Sequence, residues 1–367
     1  MSSPRQTTAV RRSPVSGDGR DSDYRRSRGP GGSGPRWARI AAAGVATVVL
    51  GATAAACGGS APAATGRTEG TTSVTIGALS NGAAKETALQ VPVVESIRNE
   101  VPRSVLDSGT LVIGSGSLPT GSPPLGFVGT DQKTLTGSEP DLGRLVAAVL
   151  GLEPRIDNAT WANLFVGIDS GRTDVGFSNI TDTEQRKEKY DFACYRQDNL
   201  GFETLASSPW NFDGTAASLA GRTVSVGKGT NQEKILLQWQ SELQAQGKTL
   251  DVKYFPDINS TYLALSSGKI DAYFLPNPSV AYHVTQTAGT PTPTRSAGKY
   301  SGAGASLQGL ICATTKKGNG LAKPVADAIN HLIQNGQYAA WLDTWNLANE
   351  AVPTAQINPP GLPLSNS

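Results

Sequence analysis

The chain has 367 residues, of which 38% are hydrophobic and 17% are charged, so it can form two domains with packed cores and is not membrane-like in bulk. The net charge of +2 is unevenly distributed, because residues 1–56 hold nine Arg and three acidic residues. The other 23 basic and 27 acidic residues give the rest of the chain a net charge of −4. This balance excludes a basic nucleic-acid-binding surface on the folded part, and no nucleic-acid partner is expected.

The first 56 residues are organised like an export signal with a long basic leading region. Residues 1–36 are rich in Arg, Ser, Gly and Pro, which predicts disorder. Arg39 precedes an uncharged run over residues 40–56, and small residues lead to Cys57, as is typical of secretion signals. The alternative is an uncleaved transmembrane anchor, for which this run is at the short limit. In both cases the bulk of the chain lies outside the cell membrane.

The run Ala54–Cys57 resembles a bacterial lipobox, although the usual pattern has Leu at the position of Ala54. The resemblance implies that the chain is cleaved before Cys57 and anchored through a lipid on that cysteine to the outer face of the membrane. The next residues are mostly Gly, Ala, Ser and Thr, which predicts a flexible linker from the lipidated cysteine to residue 89.

The remaining cysteines are Cys194 and Cys312. Outside the cell they form either one disulfide or two separately buried thiols, and their spacing in the sequence does not decide between these alternatives. The chain has two histidines and no Cys-His cluster, so no metal site and no cofactor are expected.

Strand and helix patterns alternate from residue 110 onward, which predicts an α/β fold with parallel strands. The residues at 351–367 include several prolines and predict an extended or disordered tail. The predicted strands are 110–114, 173–177, 223–227, 252–255, 270–275 and 309–315. Predicted helices follow Gly137, Thr160 and Thr230 and cover 259–267; Thr230 and Glu233 are spaced as a capping box, and the helix after Gly137 has an apolar stripe at Leu142, Leu145, Val146 and Val149. Two further helices are predicted from stripes at Val325, Ile329 and Leu332 and at Tyr338, Trp341, Leu342 and Trp345, whose aromatic residues are expected in the core.

A pattern occurs twice, as SGRTDVGF at 170–177 and as SGKIDAYF at 267–274, 97 residues later. Each copy ends a helix and begins a strand, which indicates that the chain contains two copies of the same lobe. Two α/β lobes facing each other leave a cleft at the carboxyl ends of their strands, where ligands bind in open α/β sheets.

The segment 178–186, SNITDTEQR, directly follows the strand of the first copy. Hydroxyl groups, backbone N–H groups and a guanidinium at a strand-to-helix turn suit a carboxylate or another small anion. The alternative is that Thr181 and Thr183 only cap a helix while Arg186 pairs with a surface carboxylate. The repeated lobe and the outside location favour the anion site.

Between about residues 94 and 349 the chain resembles the family 3 extracellular solute-binding proteins of bacterial ABC importers, which bind polar amino acids. The motifs that carry the resemblance are GTLVIG at 109–114, PPLGF at 123–127, GSEPDL at 137–142, WANL at 161–164, TEQR at 183–186, YDF at 190–192, GKGT at 227–230 and NGQY at 335–338. It implies a two-lobed periplasmic-binding-protein-like fold of type II, with a mixed, mostly parallel sheet flanked by helices in each lobe. Two crossing hinge strands would join lobe 1 (90–203 and 308–350) to lobe 2 (204–307).

The resemblance also implies a set of ligand-binding residues. Arg186 would hold the ligand's α-carboxylate through two hydrogen bonds, a fork that Lys does not reproduce. Trp161 lies at a lining position and would stack on the ligand's side chain. The other residues at binding positions are Ser122, Ser178, Asn179 and Thr181 in lobe 1 and Thr230 and Asn231 in lobe 2, with Ser122 replacing the usual aromatic residue.

The main departure from the family pattern is at Pro276, where the family usually has the aspartate that neutralises the ligand's ammonium. The adjacent Asn277 would offer only a neutral amide, and a buried ammonium without a counter-charge is costly. Either another acid, Asp182 or Glu139, takes that role, or the ligand is not an ordinary α-amino acid.

The function implied by the resemblance is a substrate-binding lipoprotein that captures a small carboxylate-bearing solute, such as an amino acid, between its lobes. Its partners would be an ABC permease and its ATPase, with the protein acting as a monomer. The alternatives are a ligand-sensing lipoprotein not dedicated to transport and a dehydratase-like enzyme on the same scaffold. An enzyme is not expected, because no carboxylate pair or nucleophile–base pair occurs in the matched loops.

Overall fold

The computed structural model describes residues 70–364. The strands are β1 (Thr71–Ile76), β2 (Thr87–Pro92), β3 (Thr110–Leu118), β4 (Phe127–Val128), β5 (Leu135–Thr136), β6 (Glu153–Thr160), β7 (Val175–Gly176), β8 (Tyr190–Leu205), β9 (Thr223–Val226), β10 (Asp251–Lys253), β11 (Ala272–Pro276), β12 (Thr294–Ser301), β13 (Gly309–Lys316) and β14 (Gln356–Ile357). The helices are α1 (Glu95–Arg98), α2 (Arg103–Ser108), α3 (Ser138–Val149), α4 (Trp161–Ser170), α5 (Asn231–Ala245), α6 (Ile258–Ser266), α7 (Asn277–Thr287), α8 (Ala322–Gln334) and α9 (Gln337–Thr344).

The two lobes have the same sheet topology, which confirms the two-lobed α/β prediction. In lobe 1 the parallel strands lie in the order β6-β3-β7, and in lobe 2 they lie in the order β10-β9-β11. Counted along the chain within each lobe, both orders are 2-1-3. The antiparallel strands β13 and β8 extend the two sheets beside β7 and β11, so each sheet is mixed.

The repeated motif has the same structural role in both lobes. The Asp174 carboxylate accepts the Val112 N–H at 2.8 Å, and the Asp271 carboxylate accepts the Thr223 N–H at 2.7 Å. The glycine three residues before each aspartate has a positive φ, 75° and 71°, where glycine ends a helix without steric strain. Each aspartate therefore secures the central strand of its lobe to the strand that follows the motif.

Strand β8 passes from one lobe to the other. Its residues up to Asp198 pair with β13, and from Asn199 onward they pair with β12 and β11. The pairing partner of β8 therefore changes between residues 198 and 199. The sequence analysis placed this end of lobe 1 at residue 203. The return crossing is the connection 302–308 between β12 and β13 rather than a regular strand.

The linker prediction is wrong for residues 71–89. Strands β1 and β2 form an antiparallel pair with Thr71 opposite Pro92, and Val74, Ile76 and Val91 are buried in the core of lobe 1. Small residues dominate the composition of the segment 57–89 and led to the linker prediction. Strand β1 was missed because it is short and only part of it alternates buried and exposed residues. The predicted signal segment and Cys57 lie outside the described residues.

The tail is extended, as one alternative predicted, but it is ordered over residues 351–364. Strand β14 pairs with β8, and Leu362 is fully buried. Pro residues prevent a regular ladder over most of this segment, so its order depends on individual hydrogen bonds and on the burial of one side chain.

Each lobe has its own hydrophobic cluster. In lobe 1 the predicted face of α3 (Leu142, Leu145, Val146, Val149) packs with α8 and with Trp341 and Trp345, which are core residues as the sequence predicted. In lobe 2 the ring of Phe202 stacks on Phe274 at a centroid distance of 4.2 Å, beside Trp239.

Cys194 and Cys312 form a disulfide, which resolves the alternative left open by the sequence. The bond links β8 to its neighbour β13 inside lobe 1, and both residues are buried. Within residues 70–364, no helix has the length and apolar character needed to cross a membrane.

Candidate functional site

A cavity of about 710 Å³ lies between the two lobes. Its walls come from the ends of parallel strands and the loops that follow them: residues 116–122 at the end of β3 and beyond it, the start of α4 after β6, and Ser178 after β7 in lobe 1. In lobe 2 they come from residues 226–232 after β9, 255–258 after β10 and the end of β11. The carboxyl ends of both sheets thus meet at one cavity, where open α/β sheets bind ligands.

Most of the predicted site residues come together at this cavity. Those that line it are Ser122, Trp161, Ser178, Asn179, Thr230 and Asn231. Arg186 and Thr181 lie behind the lining: Arg186 contacts the lining residues Trp161 and Gly229, and Thr181 is bonded to Arg186. Asn277 lies instead at a second cavity of about 490 Å³ beside α7, so the prediction that it binds the same ligand receives no support from its position.

Arg186 bridges the two lobes. Its guanidinium donates to the Thr181 carbonyl at 2.8 Å and to the Gly229 carbonyl of lobe 2 at 3.3 Å. The same group lies 5.4 Å from the ring centre of Trp161 and 5.3 Å from that of Phe165, within cation–π distance. Burial lowers the pKa of Arg186 to about 10, against the opposing attraction of Asp198, so the guanidinium is charged at neutral pH.

The turn Ser178–Asn179 is held from behind by buried groups. The Ser178 hydroxyl accepts the N–H of Gly116 at 2.8 Å, which joins the two cavity loops of lobe 1. Asn179 has a positive φ of 52°, and its N–H donates to the carboxylate of Glu139 at 2.7 Å. The Asn179 side-chain oxygen accepts from Arg196, so this side chain supports the turn instead of facing the cavity unpaired.

Arg196 lies between two buried carboxylates. It donates to Glu139 at 2.9 Å and to Glu350, and Tyr195 also donates to Glu139. Burial alone would lower the pKa of Arg196, but the two carboxylates raise it, so the group carries a permanent charge. All three charged side chains are about 1% exposed, which makes the network a rigid support for the cavity turn.

The two acids proposed from the sequence as counter-charges for a ligand ammonium do not line the cavity in the described structure. The Glu139 carboxylate already accepts hydrogen bonds from Arg196, Tyr195 and the Asn179 N–H. Asp182 lies 3.4 Å from the Lys187 ammonium and next to the disulfide, and burial raises the pKa of its carboxyl to about 7. Their positions therefore give that sequence-based alternative no support.

The start of α5 supplies the facing wall from lobe 2. Thr230 caps this helix by accepting the Glu233 N–H at 3.2 Å, and Glu233 in turn accepts the Gly229 N–H at 2.6 Å. The cap at Thr230 is as predicted from the sequence, but Glu233 accepts the N–H of Gly229 rather than that of Thr230, so only half of the capping box forms. The free backbone N–H groups and the helix dipole make this end favourable for an anion.

Asn231 is placed differently from its predicted role. Its amide donates to the Asp198 carboxylate and to the Gly302 carbonyl, both at 3.0 Å. Asp198 also accepts the Thr181 hydroxyl at 2.7 Å, so one carboxylate on the crossing strand holds polar side chains of both lobes. Burial raises the pKa of Asp198 to about 6. The sequence analysis missed Asp198, because nothing in its local pattern marks the point where β8 changes lobes.

Two further residues that the sequence analysis did not select line the cavity with polar groups. The Gln232 side chain is 5% exposed, and its carbonyl oxygen has no hydrogen-bond partner among residues 70–364. Asp257 lines the cavity while capping α6 through the Ser260 N–H at 2.8 Å. Lys228 is the other charged lining residue in the described part of the chain, and Pro276 contributes no charge.

The cleft is closed in this structure. The Trp161 indole N–H donates to the Gly229 carbonyl at 3.1 Å, and the Ser122 and Ser279 hydroxyls lie 2.8 Å apart. Both contacts join a lobe 1 residue to a lobe 2 residue, as does the bond from Arg186 to Gly229. Two lobes of equal topology, closed on a cavity at the carboxyl ends of their strands, define the class of two-lobed solute-binding proteins.

The chain belongs to the bacterial extracellular solute-binding proteins, family 3, whose sequence profile matches residues 116–348. It is 32% identical to the L-cystine-binding protein TcyJ of Escherichia coli K12 over 245 residues, which cover 66% of this chain and 84% of TcyJ. It is 25% identical to the arginine-binding protein ArgT of Corynebacterium glutamicum over 268 residues, which cover 72% and 83% of the two chains. A crystal structure of a mutant of ArgBP from T. maritima has the same fold, with a TM-score of 0.56, 22% identity and coverage of 66% and 98%.

Proposed function

We propose that this protein captures an amino acid between its lobes and presents it in the closed form to the membrane permease of an ABC importer. The observation that carries the proposal is the position of Arg186, a charged guanidinium directly behind the interlobe cavity that contacts its lining residues Trp161 and Gly229. One of its donors is bonded to the lobe 2 carbonyl of Gly229. A carboxylate is a stronger acceptor for guanidinium than a neutral carbonyl, so a ligand carboxylate would replace Gly229 there.

The capture mechanism follows from how the two half-sites are built. The carboxylate would bind Arg186 from lobe 1 and the N–H groups at the start of α5 from lobe 2. Because these donors lie in different lobes, the ligand stabilises the closed form more than the open form and shifts the hinge equilibrium towards closure. The permease would then distinguish loaded from empty protein by the shape of the closed lobes.

The acceptors available for the ligand's ammonium differ from the family's usual aspartate. The unpaired carbonyl oxygen of Gln232 is a buried acceptor on the cavity wall, and a buried acceptor without a partner is unfavourable by about 1–3 kcal/mol. An ammonium N–H would satisfy it. Asp257 would supply the negative charge from the same lobe.

The charges of the cavity favour L-cystine over L-arginine as the ligand. Cystine carries a second carboxylate at its far end, and beyond Arg186 and Asp257, which would hold the first amino-acid group, the described lining offers one further cation, Lys228, for it. The aromatic walls at Trp161 and Phe255 suit its apolar disulfide-linked centre. A guanidinium side chain would meet Lys228 as a like charge. The relative TcyJ, an L-cystine-binding protein, supports the same choice.

The location outside the membrane and the lipid anchor are part of the proposal. The apolar run over residues 40–56 and Cys57 support them. Mass spectrometry of the purified protein should find a first residue of Cys57 that carries the added mass of a lipid. A protein that retains residues 40–56 would indicate an uncleaved anchor.

The decisive test is a calorimetric and thermal-shift comparison of L-cystine, L-arginine and L-glutamine on the purified protein. Binding to the native state raises the melting temperature, and L-cystine should raise it most. Replacing Arg186 with Ala should weaken binding by about 100-fold or more, because it removes a buried charged donor. The matched control is Arg172→Ala, an exposed arginine of lobe 1 whose loss should leave affinity unchanged. Absence of binding by any amino acid, or unchanged affinity in Arg186→Ala, would contradict the proposed function.

A further inference from the structure

Residues 356–364, named here the clasp, connect the two lobes outside the two chain crossings. The clasp begins on lobe 1, where β14 pairs with β8. Asn358 then exchanges two hydrogen bonds with the backbone of Phe192, at 2.8 Å and 3.1 Å, and its amide donates to Asp191 at 3.1 Å. These bonds fix the first half of the clasp to the outer edge of the lobe 1 sheet.

The middle of the clasp holds the loop that carries Arg186. Leu362 donates its N–H to the Asp182 carbonyl at 3.1 Å and accepts the Glu184 N–H at 3.0 Å. The N–H of Gly361 donates to the Glu184 carboxylate at 2.8 Å. A Cβ at Gly361 would lie 2.6 Å from the Asp182 carbonyl oxygen, so the close approach requires glycine.

The end of the clasp is buried in lobe 2. The Leu362 side chain is fully buried in the lobe 2 hydrophobic cluster, which also contains Ala303 on the return crossing. The ammonium of Lys234, on α5, donates to the Pro363 carbonyl at 2.5 Å. Helix α5 is the element whose first residues form the lobe 2 wall of the cavity.

We propose that the clasp favours the closed cleft and positions the Arg186 loop relative to α5. Its backbone from residue 356 to residue 362 is attached to lobe 1, while the Leu362 side chain and the Pro363 carbonyl are attached to lobe 2. A hinge motion that separates the lobes therefore has to withdraw Leu362 from its site or detach the clasp from loop 181–187. Burial of the leucine side chain is favourable enough to shift a two-state hinge equilibrium about tenfold towards the closed form.

The chain contains a matched control for this proposal. Leu364 is two residues further along the same segment but is 64% exposed, so its side chain contributes little to either lobe. The experiment compares Leu362→Ala, Leu362→Met and Leu364→Ala in the full-length protein. Met conserves most of the volume of leucine and should restore most of the effect of Leu362.

The primary measurement is lobe closure in the absence of any amino acid. Small-angle X-ray scattering reports the radius of gyration, and the indole N–H resonance of Trp161, assigned with Trp161→Phe, reports the bond to Gly229 across the cleft. Leu362→Ala should increase the radius of gyration and shift this resonance, whereas Leu362→Met and Leu364→Ala should resemble the wild type. These measurements do not require the proposed function to be correct.

The secondary measurement does rest on the proposed function and uses L-cystine and L-arginine as probes. Leu362→Ala should weaken the binding of whichever probe the wild type binds by about tenfold, mainly through a faster dissociation rate. A Leu362→Ala protein that melts earlier but shows wild-type scattering and a wild-type Trp161 resonance would overturn the clasp proposal. Failure of both probes to bind any variant would contradict the proposed function but leave the closure result intact.

Discussion

At the point where the repeated motif ends, lobe 1 continues with Ser178–Asn179 and lobe 2 continues with Leu275–Pro276. The first pair forms a polar turn held by a buried ion network, whereas the second ends β11 with apolar groups. The central strands, their order and the aspartate that secures them are the same in both copies. The shared scaffold therefore fixes where the loops lie, and the loop residues fix what each lobe recognises.

The comparison also separates two ways of building a cavity wall. Lobe 1 places its charge behind the lining, with Arg186 against Trp161 and Arg196 between two buried carboxylates. Lobe 2 places the charges of Lys228 and Asp257 on the cavity wall, beside the backbone groups at the start of α5, which require little more than a correct cap at Thr230. Lobe 1 should thus depend strongly on single buried side chains, and lobe 2 should tolerate the loss of single charges better.

The largest expected effect tests this difference directly. Replacing Arg196 with Met leaves Glu139 and Glu350 buried without their partner, which should lower the free energy of unfolding by about 3–5 kcal/mol. The lobe 2 counterpart is Arg222→Met, which removes a 37% exposed arginine that lies 3.6 Å from Asp271. Exposed pairs contribute about 0–1 kcal/mol, so this variant should unfold near the wild type. Urea unfolding of both variants gives the comparison, and equal losses would show that the two lobes do not differ in this way.

The disulfide provides the next largest effect and is confined to lobe 1. Replacing Cys194 and Cys312 together with Ala removes a covalent link between residues 118 apart in sequence. The expected loss of unfolding free energy is about 2–5 kcal/mol, as is usual for a native disulfide. The same loss should appear when the wild type is unfolded under reducing conditions. A reduced wild type as stable as the oxidised protein would show that β8 and β13 are held by their ladder alone.

The pH dependence of stability tests the carboxylate that joins the lobes. Burial raises the pKa of Asp198 from 3.8 to about 6, so the folded state binds its proton more tightly than the unfolded state. This group's contribution to the free energy of unfolding should therefore fall as the pH rises from about 4 to about 6, by up to about 3 kcal/mol. Asp198→Asn should flatten this part of the profile and be more stable than the wild type at pH 7.

A control of opposite sign is available for that measurement. Asp213 is exposed, and the Thr215 hydroxyl and N–H lower the pKa of its carboxyl. The contribution of Asp213 to the free energy of unfolding is present above the pKa of this carboxyl in the unfolded chain, and it is lost as the pH falls through the pKa in the folded protein. Asp213→Asn should therefore reduce stability at neutral pH but not at acidic pH. A profile for Asp198→Asn that has the wild-type slope between pH 4 and 6 would contradict the assignment of the slope to Asp198.

The sequence was sufficient to predict the fold and most of the cavity because both depend on local patterns. The repeated motif and the cap at Thr230 could be found from neighbouring residues, and the lining position of Trp161 followed from the family resemblance. Asp198 and Gln232 could not be found in this way, because their roles depend on which groups of the other lobe lie beside them. The clasp was missed for a related reason, since a proline-rich segment has no periodicity and Leu362 is buried only through contacts distant in sequence.

The smallest expected effect concerns the repeated aspartates themselves. Asp174 and Asp271 accept equivalent backbone N–H groups at 2.8 Å and 2.7 Å, but burial raises the pKa of Asp174, whereas the Asp271 side chain is 41% exposed. Replacing either with Ala leaves one strand N–H without its partner, at a cost of about 1–3 kcal/mol when that group is excluded from water. Asp174→Ala should therefore be near the upper end of this range and Asp271→Ala near or below the lower end, as measured by urea unfolding at pH 7. If Asp271→Ala destabilised the protein more than Asp174→Ala, exposure to water would not weaken the hydrogen bond from the Thr223 N–H to Asp271. The two lobes would then differ less in their scaffold than in their loops.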